Sequence, residues 1–384
     1  MEEIRAYVRA HRAEMLALWE ELVSQDSPTE DKALTDSVSA TLRRELEKSG
    51  AEVRMEPNAL AGDTLTALWG ASNPGRPVLF CGHMDTVFAA GEAGKRPFRI
   101  ENGRAYGPGA LDMKGGLTEA VFVLRALSAV GFRGRPVRVV FAPDEEGGHA
   151  HSGAAETILR ACEGACAAFN FETGRPGGIV TSRKGCARFR LTVTGVEAHS
   201  GICPENGRNA IEEMAHKILA LQALNDPANG TSVSVGLIAG GRVINVIPAN
   251  CEIRVDVRFT KTVHLDALMR KMREISDTVH VSGCSCVLTV EKISVPMEET
   301  EQNLALFRHV RRTSDRLGLP ELLPLRTGGW SDSNLISDAG VPVVCAMGPV
   351  GEGNHTEREY ADVESLFERT ELTAVSILRL PDTF

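Results

Sequence analysis

Apolar and polar residues along the first 181 positions follow two patterns that alternate. Short apolar runs predict buried strands, whereas apolar residues spaced by three and four predict amphipathic helices. The predicted strands are 64–69, 77–81, 136–141 and 167–171. The predicted helices are 2–24, 28–48, 113–130 and 154–161. This alternation of strands and helices indicates a layered α/β domain.

The pattern changes near residue 181, and the next segment has an order of its own. Its predicted strands are 187–194, 232–238, 251–259 and 286–291, and its predicted helices are 209–224 and 265–279. The resulting order, βαββαβ, is typical of a ferredoxin-like unit. After Pro296 the first pattern resumes with helix 303–317, strand 342–347 and helix 363–378. We therefore expect a larger domain, 1–181 with 295–384, into which a smaller domain, 182–294, is inserted.

One predicted helix start has a specific signal. Ser27-Pro28-Thr29-Glu30 has the spacing of a capping box, with proline at the first helical position. We expect a helix to begin there, to run to Lys48 and to stop at Gly50.

Composition excludes several classes of protein. A chain of 384 residues is too long for one ordinary core, and its net charge of -9 argues against a nucleic-acid or anionic-membrane partner. No apolar run approaches the roughly 20 residues that cross a bilayer. The nine cysteines include no Cys-x-x-Cys pair, and the start of the chain lacks a secretory pattern. We therefore expect a cytoplasmic protein without a disulfide framework.

Acidic residues and histidines follow three predicted strands of the larger domain. His83 and Asp85 come after strand 77–81, the segment 144–146 (Asp-Glu-Glu) after strand 136–141, and Glu172 after strand 167–171. Ligands collect beyond the carboxyl ends of strands in open α/β sheets. Adjacent carboxylates repel each other unless a cation neutralises them. The sequence therefore predicts a metal site at this edge.

The ligand chemistry of these residues suits zinc, which accepts imidazole nitrogen and carboxylate oxygen. The candidate ligands are His83, Asp112, Glu146, Glu172 and His355. If Asp112 bridges, the set could hold two ions, each with one histidine and one further carboxylate. Asp85, two residues after His83, could orient the imidazole ring. Glu145 is then left over and could carry the proton to the leaving nitrogen.

Each of these residues alone has a structural interpretation. A histidine at a strand end is commonly a hydrogen-bonded core residue, and Asp112 before a helix is commonly an N-cap. Three acidic clusters at three strand ends favour the metal site over a solvated acidic turn. We expect His149 and His151, soon after the acidic cluster, to be solvated loop histidines.

Together these motifs resemble the di-zinc metallopeptidases typified by bacterial glutamate carboxypeptidase (carboxypeptidase G), relatives of aminoacylases and succinyl-diaminopimelate desuccinylases. The resemblance covers nearly the whole chain. In the larger domain it rests on Gly82-His83-Met84-Asp85-Thr86-Val87, Gly107-Pro108-Gly109, Asp112-Met113-Lys114-Gly115-Gly116, Asp144-Glu145-Glu146, Phe171-Glu172, Arg326-Thr327-Gly328-Gly329 and His355. In the smaller domain it rests on 195–200, 245–249 and 256–258.

The resemblance implies a three-layer zinc-exopeptidase domain and gives the candidate residues their roles. His83 and Glu172 would hold one zinc and Glu146 and His355 the other, with Asp112 bridging, Asp85 orienting His83 and Glu145 as general base. The inserted domain would be a lid and a dimerisation surface, which implies a homodimer. In it, His199 would hold the oxyanion, and substrate would meet Asn245, Arg258, Arg326 and Gly329. The Asp112–Met113 peptide bond would be cis.

The expected function is zinc-dependent hydrolysis of an amide bond next to a free carboxylate. The substrate would be a small peptide or an N-acyl amino acid, and the product a C-terminal amino acid, with glutamate as a candidate. Two zinc ions are expected, with cobalt or manganese as substitutes. An N-acyl-amino-acid deacylase or a dipeptidase is the alternative. A serine hydrolase is disfavoured because no Gly-x-Ser-x-Gly occurs, and a non-catalytic protein because every ligand and Glu145 are present.

One segment departs from the family pattern. Where the carboxypeptidases have a third glycine followed by Thr-Asp-Ala, this chain has Trp330-Ser331-Asp332-Ser333. We expect the aromatic ring to narrow or reline the substrate pocket.

Overall fold

A computed structural model describes residues 1–384, which divide into two compact units. The first unit comprises residues 1–181, 299–326 and 331–384. The second comprises residues 182–298 and 327–330, so it is an insertion in the order of the chain.

The helices and strands are numbered here in chain order. The helices are α1 (Glu2–Ala10), α2 (Arg12–Val23), α3 (Lys32–Lys48), α4 (Glu92–Lys95), α5 (Gly115–Ala129), α6 (Ala154–Cys162), α7 (Ala210–Gln222), α8 (Thr262–Asp277), α9 (Glu301–Leu317), α10 (Ser333–Asp338) and α11 (Val363–Leu378). The strands are β1 (Glu52–Glu56), β2 (Thr64–Trp69), β3 (Val78–His83), β4 (Arg99–Glu101), β5 (Arg104–Tyr106), β6 (Val137–Ala142), β7 (Ala167–Asn170), β8 (Gly178–Arg183), β9 (Gly185–Thr194), β10 (Ala198–His199), β11 (Ser232–Gly240), β12 (Val246–Ile247), β13 (Asn250–Phe259), β14 (Ser285–Ser294), β15 (Leu323–Thr327), β16 (Val343–Val344), β17 (Gly351–Glu352) and β18 (Tyr360–Asp362).

A six-stranded sheet forms the centre of the first unit, in the order β1-β2-β6-β3-β7-β16. Strands β6, β3, β7 and β16 run parallel, whereas β2 is antiparallel to both of its neighbours. Strands β3 and β7 are buried along their whole length because both faces of the sheet are covered. Their carboxyl ends therefore lie along one edge of the sheet.

Helices cover both faces of this sheet, as two adjacent residues of β3 demonstrate. The Cys81 thiol lies 3.6 Å from Asp332 at the start of α10, while a Cβ at Gly82 would lie 3.5 Å from Leu117 of α5. Adjacent residues of a strand point to opposite faces, so α10 and α5 lie on opposite sides of the sheet. The three-layer α/β fold that the resemblance implied is confirmed.

The second unit contains β9, α7, β11, β13, α8 and β14 in the predicted βαββαβ order. Its sheet has the strand order β11-β13-β9-β14, and all neighbouring strands are antiparallel. Alternate residues of β13 are buried, including Ile253, Val255 and Val257, because α7 and α8 cover one face of the sheet. This is the ferredoxin-like arrangement expected from the pattern.

Two predictions about the first helices were wrong. The predicted helix 2–24 is two helices, separated at His11. The capping box at Ser27 does not form, because Pro28 pairs with Thr86 and the Thr29 hydroxyl donates to Asp85. Helix α3 instead begins at Lys32, after Asp31, whose carboxylate accepts a hydrogen bond from the N–H of residue 34.

The predicted helix 113–130 begins later, at Gly115, because an irregular turn spanning 110–114 precedes it. This turn contains the cis peptide bond between Asp112 and Met113 that the resemblance implied. No helix of the chain has both the length and the apolar character needed to span a bilayer.

Candidate metal centre

The carboxyl ends of three parallel strands bring most of the predicted ligands together. His83 ends β3, Glu146 follows β6 in the next loop, and Glu172 follows β7. Asp112 is supplied by the irregular turn before α5, and His355 by the loop between β17 and β18. These five side chains form two groups whose ligand atoms lie within 4.8 Å of one another.

The two groups share Asp112. In the first group, His83 Nε2 lies 3.4 Å from Asp112 Oδ1 and 3.9 Å from Glu172 Oε1. In the second group, His355 Nε2 lies 3.2 Å from Asp112 Oδ2 and 3.0 Å from Glu146 Oε1. The two oxygens of one carboxylate therefore face different histidines.

The charges at this site favour a cation. Asp112 Oδ1 is buried, with His83 Nε2 at 3.4 Å. Burial alone would raise the pKa of Asp112, but hydrogen bonds with His355 and His83 hold it well below its usual range. The pKa of His355 rises to about 10 because of Asp112 and then Glu146, and that of His83 rises because Asp112 and Asp85 outweigh its burial. Positive charge is stabilised on the atoms that would bind metal, so the residues present fit a divalent ion.

Asp85 contacts both halves of the site. His83 Nδ1 lies 3.0 Å from the backbone oxygen of Asp85 and 3.3 Å from Oδ1, which leaves Nε2 to face the ligand group. The Asp85 carboxylate also accepts hydrogen bonds from the backbone N–H groups of Glu145 and Glu146, each at 3.1 Å. The Thr29 hydroxyl donates to it at 2.7 Å. Asp85 therefore orients the imidazole and also the loop that carries the acidic pair.

Glu145 belongs to neither ligand group. Its side chain is 8% exposed, and burial raises its pKa well above the usual range, with the negative charge of Glu172 adding to the effect. This environment favours the protonated form of the carboxyl group, which suits a general acid or base.

Asn354 is a site residue that the sequence analysis missed. Its amide donates to Asp112 Oδ2 at 2.8 Å and to the Thr173 hydroxyl at 2.7 Å. It thereby links the shared carboxylate to the residue after Glu172. The available signal was its position directly before His355.

The prediction that His149 is a solvated loop residue was wrong. Its side chain is 4% exposed, with Nε2 at 2.6 Å from Asp332 Oδ1 and Nδ1 at 3.3 Å from Asp144 Oδ1. Burial alone would lower its pKa, but Asp332 and Asp144 raise it to about 10. Two buried carboxylates need a cation, and His149 supplies it. His151 remains partly exposed, near Glu30.

The inserted unit contains His199, predicted to hold the oxyanion, and Asn245 and Arg258, predicted to contact substrate. Strands β10 and β12 pair His199 with Val246, so that His199 lies beside the segment that begins at Asn245. The N–H of Gly201 donates to His199 Nδ1 at 3.2 Å, so in the neutral ring Nε2 carries the hydrogen. The Arg258 guanidinium donates from Nε and Nη2 to the Asp256 carboxylate, at 2.8 and 3.2 Å.

The segment 326–330 contains the two other predicted contacts. Arg326 belongs to the first unit, is exposed and pairs with Glu299. Gly329 belongs to the second unit, and its carbonyl accepts a hydrogen bond from Arg183 at 3.2 Å. The carbonyl of Trp330 accepts from the same guanidinium at 3.4 Å. Lys292 lies over the indole ring at 5.9 Å.

Sequence comparison matches this chain to one peptidase family and to enzymes similar over most of its length. A family model described as peptidase family M20/M25/M40 matches residues 79–379. Carboxypeptidase G2 of Pseudomonas sp. strain RS-16 is 28% identical over 371 residues, which are 94% of this chain and 88% of that protein. A succinyl-diaminopimelate desuccinylase of Alkalilimnicola ehrlichii is 30% identical over 324 residues, 78% of this chain and 84% of that protein. These matches confirm the resemblance inferred from the motifs.

Solved structures share the fold. Aminopeptidase PepT from Bacillus cereus ATCC 10987 superimposes with a TM-score of 0.79 at 22% identity, covering 96% of this chain and 98% of that one. Human carnosine dipeptidase 1 superimposes with a TM-score of 0.67 at 16% identity, covering 98% of each chain. At these identities the likeness concerns the fold alone.

Proposed function

This chain belongs to peptidase family M20/M25/M40 and is a hydrolytic enzyme, and from that premise we propose that it uses two zinc ions to cleave an amide bond next to a free carboxylate. The substrate is a small peptide or an N-acyl amino acid, and the product is a C-terminal amino acid, with glutamate as the first candidate. One observation carries the proposal: two ligand groups share Asp112, while Glu145 stays outside both.

The donor set fits two ions. His83 and Glu172 would hold one zinc, Glu146 and His355 would hold the other, and Asp112 would serve both. Mixed imidazole and carboxylate donors suit zinc, and cobalt or manganese can take its place. When bound, zinc supplies Lewis acidity that polarises a carbonyl and lowers the pKa of water.

Glu145 moves the proton in this mechanism. Its carboxylate takes a proton from the attacking water and then delivers it to the leaving nitrogen. Burial raises its pKa, which suits a group that must hold the proton between these two events. Asp85 positions both Glu145 and His83, because its carboxylate accepts a hydrogen bond from the backbone N–H of Glu145 and contacts the His83 ring.

Substrate recognition comes from residues of the inserted unit and of segment 326–329. His199 donates from Nε2 to the oxyanion, a role supported by the hydrogen bond that Nδ1 accepts. Arg258 binds the substrate carboxylate. Asp256 occupies the edge formed by Nε and Nη2, which leaves the Nη1 side of the guanidinium for a second carboxylate. Asn245, Arg326 and Gly329 provide further contacts.

We propose that the inserted unit is also a lid and a homodimer interface. Leu237 and Ile238 of the edge strand β11 are 63% and 60% exposed, and Leu219 of α7 is 72% exposed. An unpaired strand edge with apolar side chains suits pairing with a second copy of this chain. A cytoplasmic location is supported by nine cysteines that are all unpaired.

The alternative function is N-acyl-amino-acid deacylation or dipeptide hydrolysis. The desuccinylase of Alkalilimnicola ehrlichii is 30% identical to this chain and the carboxypeptidase 28%. N-acyl amino acids whose acyl group is not a peptide therefore stay candidate substrates. Both reactions cleave an amide beside a carboxylate, so the ligand groups and Glu145 serve either.

Metal analysis and a substrate screen test the proposal. The purified enzyme should contain close to two zinc ions per chain and should lose activity in strong chelators. Peptides and N-acyl amino acids, varied on one side of the amide at a time, identify the substrate class. Activity that survives chelation in a metal-free preparation would contradict the proposal.

Glu145→Gln tests the proton transfer separately. The variant should keep both ions and substrate affinity, while kcat falls by about 10²–10⁴-fold, the range for a positioned acid–base group. Glu163→Gln, at an exposed position after α6, is the matched control and should retain wild-type turnover. Normal turnover in Glu145→Gln would remove Glu145 from the mechanism.

A further inference from the structure

Glu359 is a buried carboxylate that contacts the turn carrying Asp112. It is 1% exposed. Its Oε1 accepts hydrogen bonds from the backbone N–H groups of Leu111 and Asp112, at 2.8 and 2.9 Å. Its Oε2 accepts from the N–H of Gly109 at 3.2 Å. Three backbone donors of one turn therefore converge on one side chain.

The backbone of Glu359 is itself held in place on both sides. Its N–H donates to the carbonyl of Thr356 at 3.2 Å, which closes a turn directly after His355. The next residue, Tyr360, begins β18 and pairs with Tyr106 of β5. This register places Glu359 against the segment that follows β5. The same stretch of chain thus carries a ligand of the second group and an anchor for the shared ligand.

The turn at 109–112 needs such an acceptor. The segment lies immediately before α5 and makes an irregular turn, so its N–H groups lack regular helical partners. Buried N–H groups without an acceptor destabilise the fold. A carboxylate is the strongest acceptor among side chains and can accept several N–H donors at once.

We propose that Glu359 is a positioning residue. It fixes the backbone of Asp112 so that the two carboxylate oxygens of Asp112 face His83 and His355. The inference rests on the proposed function, because it assigns Asp112 to two ions. The Asp112 side chain is short, so a rotation of its peptide displaces Oδ1 from His83 and Oδ2 from His355 together. Asn354 holds only the Oδ2 side of this carboxylate. Loss of Glu359 should therefore weaken both metal sites at once.

Glu359→Gln is the informative change because it keeps the volume of the side chain. The amide oxygen can still accept from Leu111 and Asp112, but the amide nitrogen then meets the N–H of Gly109, donor against donor. Groups that orient metal ligands typically change metal affinity by about 10–100-fold when they are substituted. We expect a loss in this range at both sites, with full occupancy restored by excess zinc.

Glu119→Gln is the matched control. Glu119 is also a fully buried glutamate of the first unit. Its Oε1 accepts a hydrogen bond at 2.9 Å from Thr373, which belongs to neither ligand group. This variant should change the unfolding temperature of the metal-free protein without changing zinc affinity. Glu359→Asp, which keeps the charge on a shorter side chain, should fall between wild type and Glu359→Gln and serves if the glutamine variant does not fold.

Zinc affinity is measured by competition with a chromophoric chelator, using the full chain. Zinc binding by wild type, with a 10–100-fold loss in Glu359→Gln and none in Glu119→Gln, supports the inference. Wild-type zinc affinity in either folded Glu359 variant overturns it, and so does an equal loss in the control. Wild-type protein that binds no zinc overturns the proposed function itself, which separates the two failures.

Discussion

Asp85→Asn is the substitution whose effect can be worked out most directly from the structure. Asparagine keeps the shape of the side chain but replaces one acceptor oxygen with an NH₂ group. In the wild type, Oδ1 accepts the N–H of Glu145 and Oδ2 accepts the N–H of Glu146, each at 3.1 Å. In either orientation of the amide, one of these N–H groups faces another donor.

The expected size of the effect on zinc affinity or kcat/KM follows from the loss of that hydrogen bond. A hydrogen bond to a charged group contributes about 1.5–3 kcal/mol, which corresponds to a factor of about 10–150 in an equilibrium or rate. If the lost bond is that of Glu146, the second metal site weakens, and if it is that of Glu145, proton transfer suffers. The histidine ring is affected as well, since His83 Nδ1 lies 3.3 Å from Asp85 Oδ1. We expect zinc affinity or kcat/KM to fall by about 10–150-fold.

Thr29→Val is the control for this experiment. The Thr29 hydroxyl donates to the same carboxylate, so its removal takes one bond from Asp85 while both backbone bonds remain. Thr29→Val should leave zinc affinity close to that of wild type, whatever its effect on stability. Chelator competition measures zinc affinity, and steady-state kinetics measures kcat/KM. Wild-type values in Asp85→Asn, or an equal loss of zinc affinity in Thr29→Val, would refute the reasoning.

Two further predictions concern Arg258, which we propose binds substrate, and His149, which pairs two buried carboxylates. Arg258→Ala should lower kcat/KM by at least tens-fold for substrates with a free carboxylate, since a charged contact in a closed site is worth about 2–5 kcal/mol, and should leave zinc content unchanged. Wild type should discriminate strongly against the amidated substrate and the variant much less; equal discrimination would mean that Arg258 does not read the carboxylate. His149→Gln should lower the free energy of unfolding by about 3–5 kcal/mol near pH 6, because it leaves Asp144 and Asp332 buried without their cation. The pKa of His149 is raised to about 10, so its contribution to the free energy of unfolding is complete below about pH 6.5 and is lost as pH rises through 10. In urea unfolding, the stability difference between wild type and His149→Gln should therefore be smaller at pH 10 than at pH 6. The same deficit at both values would show that the charge of His149 is not what stabilises the loop.

The elements with a strong hydrophobic period were predictable from the sequence. Strand β2 and helix α11 have the predicted bounds, 64–69 and 363–378, because the spacing of apolar residues is a local property that packing then satisfies. Short strands such as β5 and β18 were missed, since three residues carry too little periodicity to be recognised. Their pairing nevertheless decides where Glu359 lies.

The chemistry of the site was also present in the sequence, because parallel strands deliver whatever follows them to one edge of the sheet. The order of strands along the chain therefore predicts that His83, Glu146 and Glu172 lie near one another. The sequence could not tell which of their atoms face each other. Asp112 Oδ1 turns to one histidine and Oδ2 to the other through contacts that are distant in the chain. Glu359 holds its peptide and Asn354 holds Oδ2.

Burial was decided by the tertiary structure alone. His149 stands in a polar loop and is indistinguishable by pattern from the partly exposed His151 nearby. It is buried because Asp332, distant in the chain, arrives beside Asp144 and both carboxylates require a positive partner. Ser27 and Glu30 likewise lose their predicted capping role, because Pro28 and Thr29 contact the segment around Asp85. A local pattern specifies which residues can bear a charge, whereas the long-range packing of loops determines which charges must be paired.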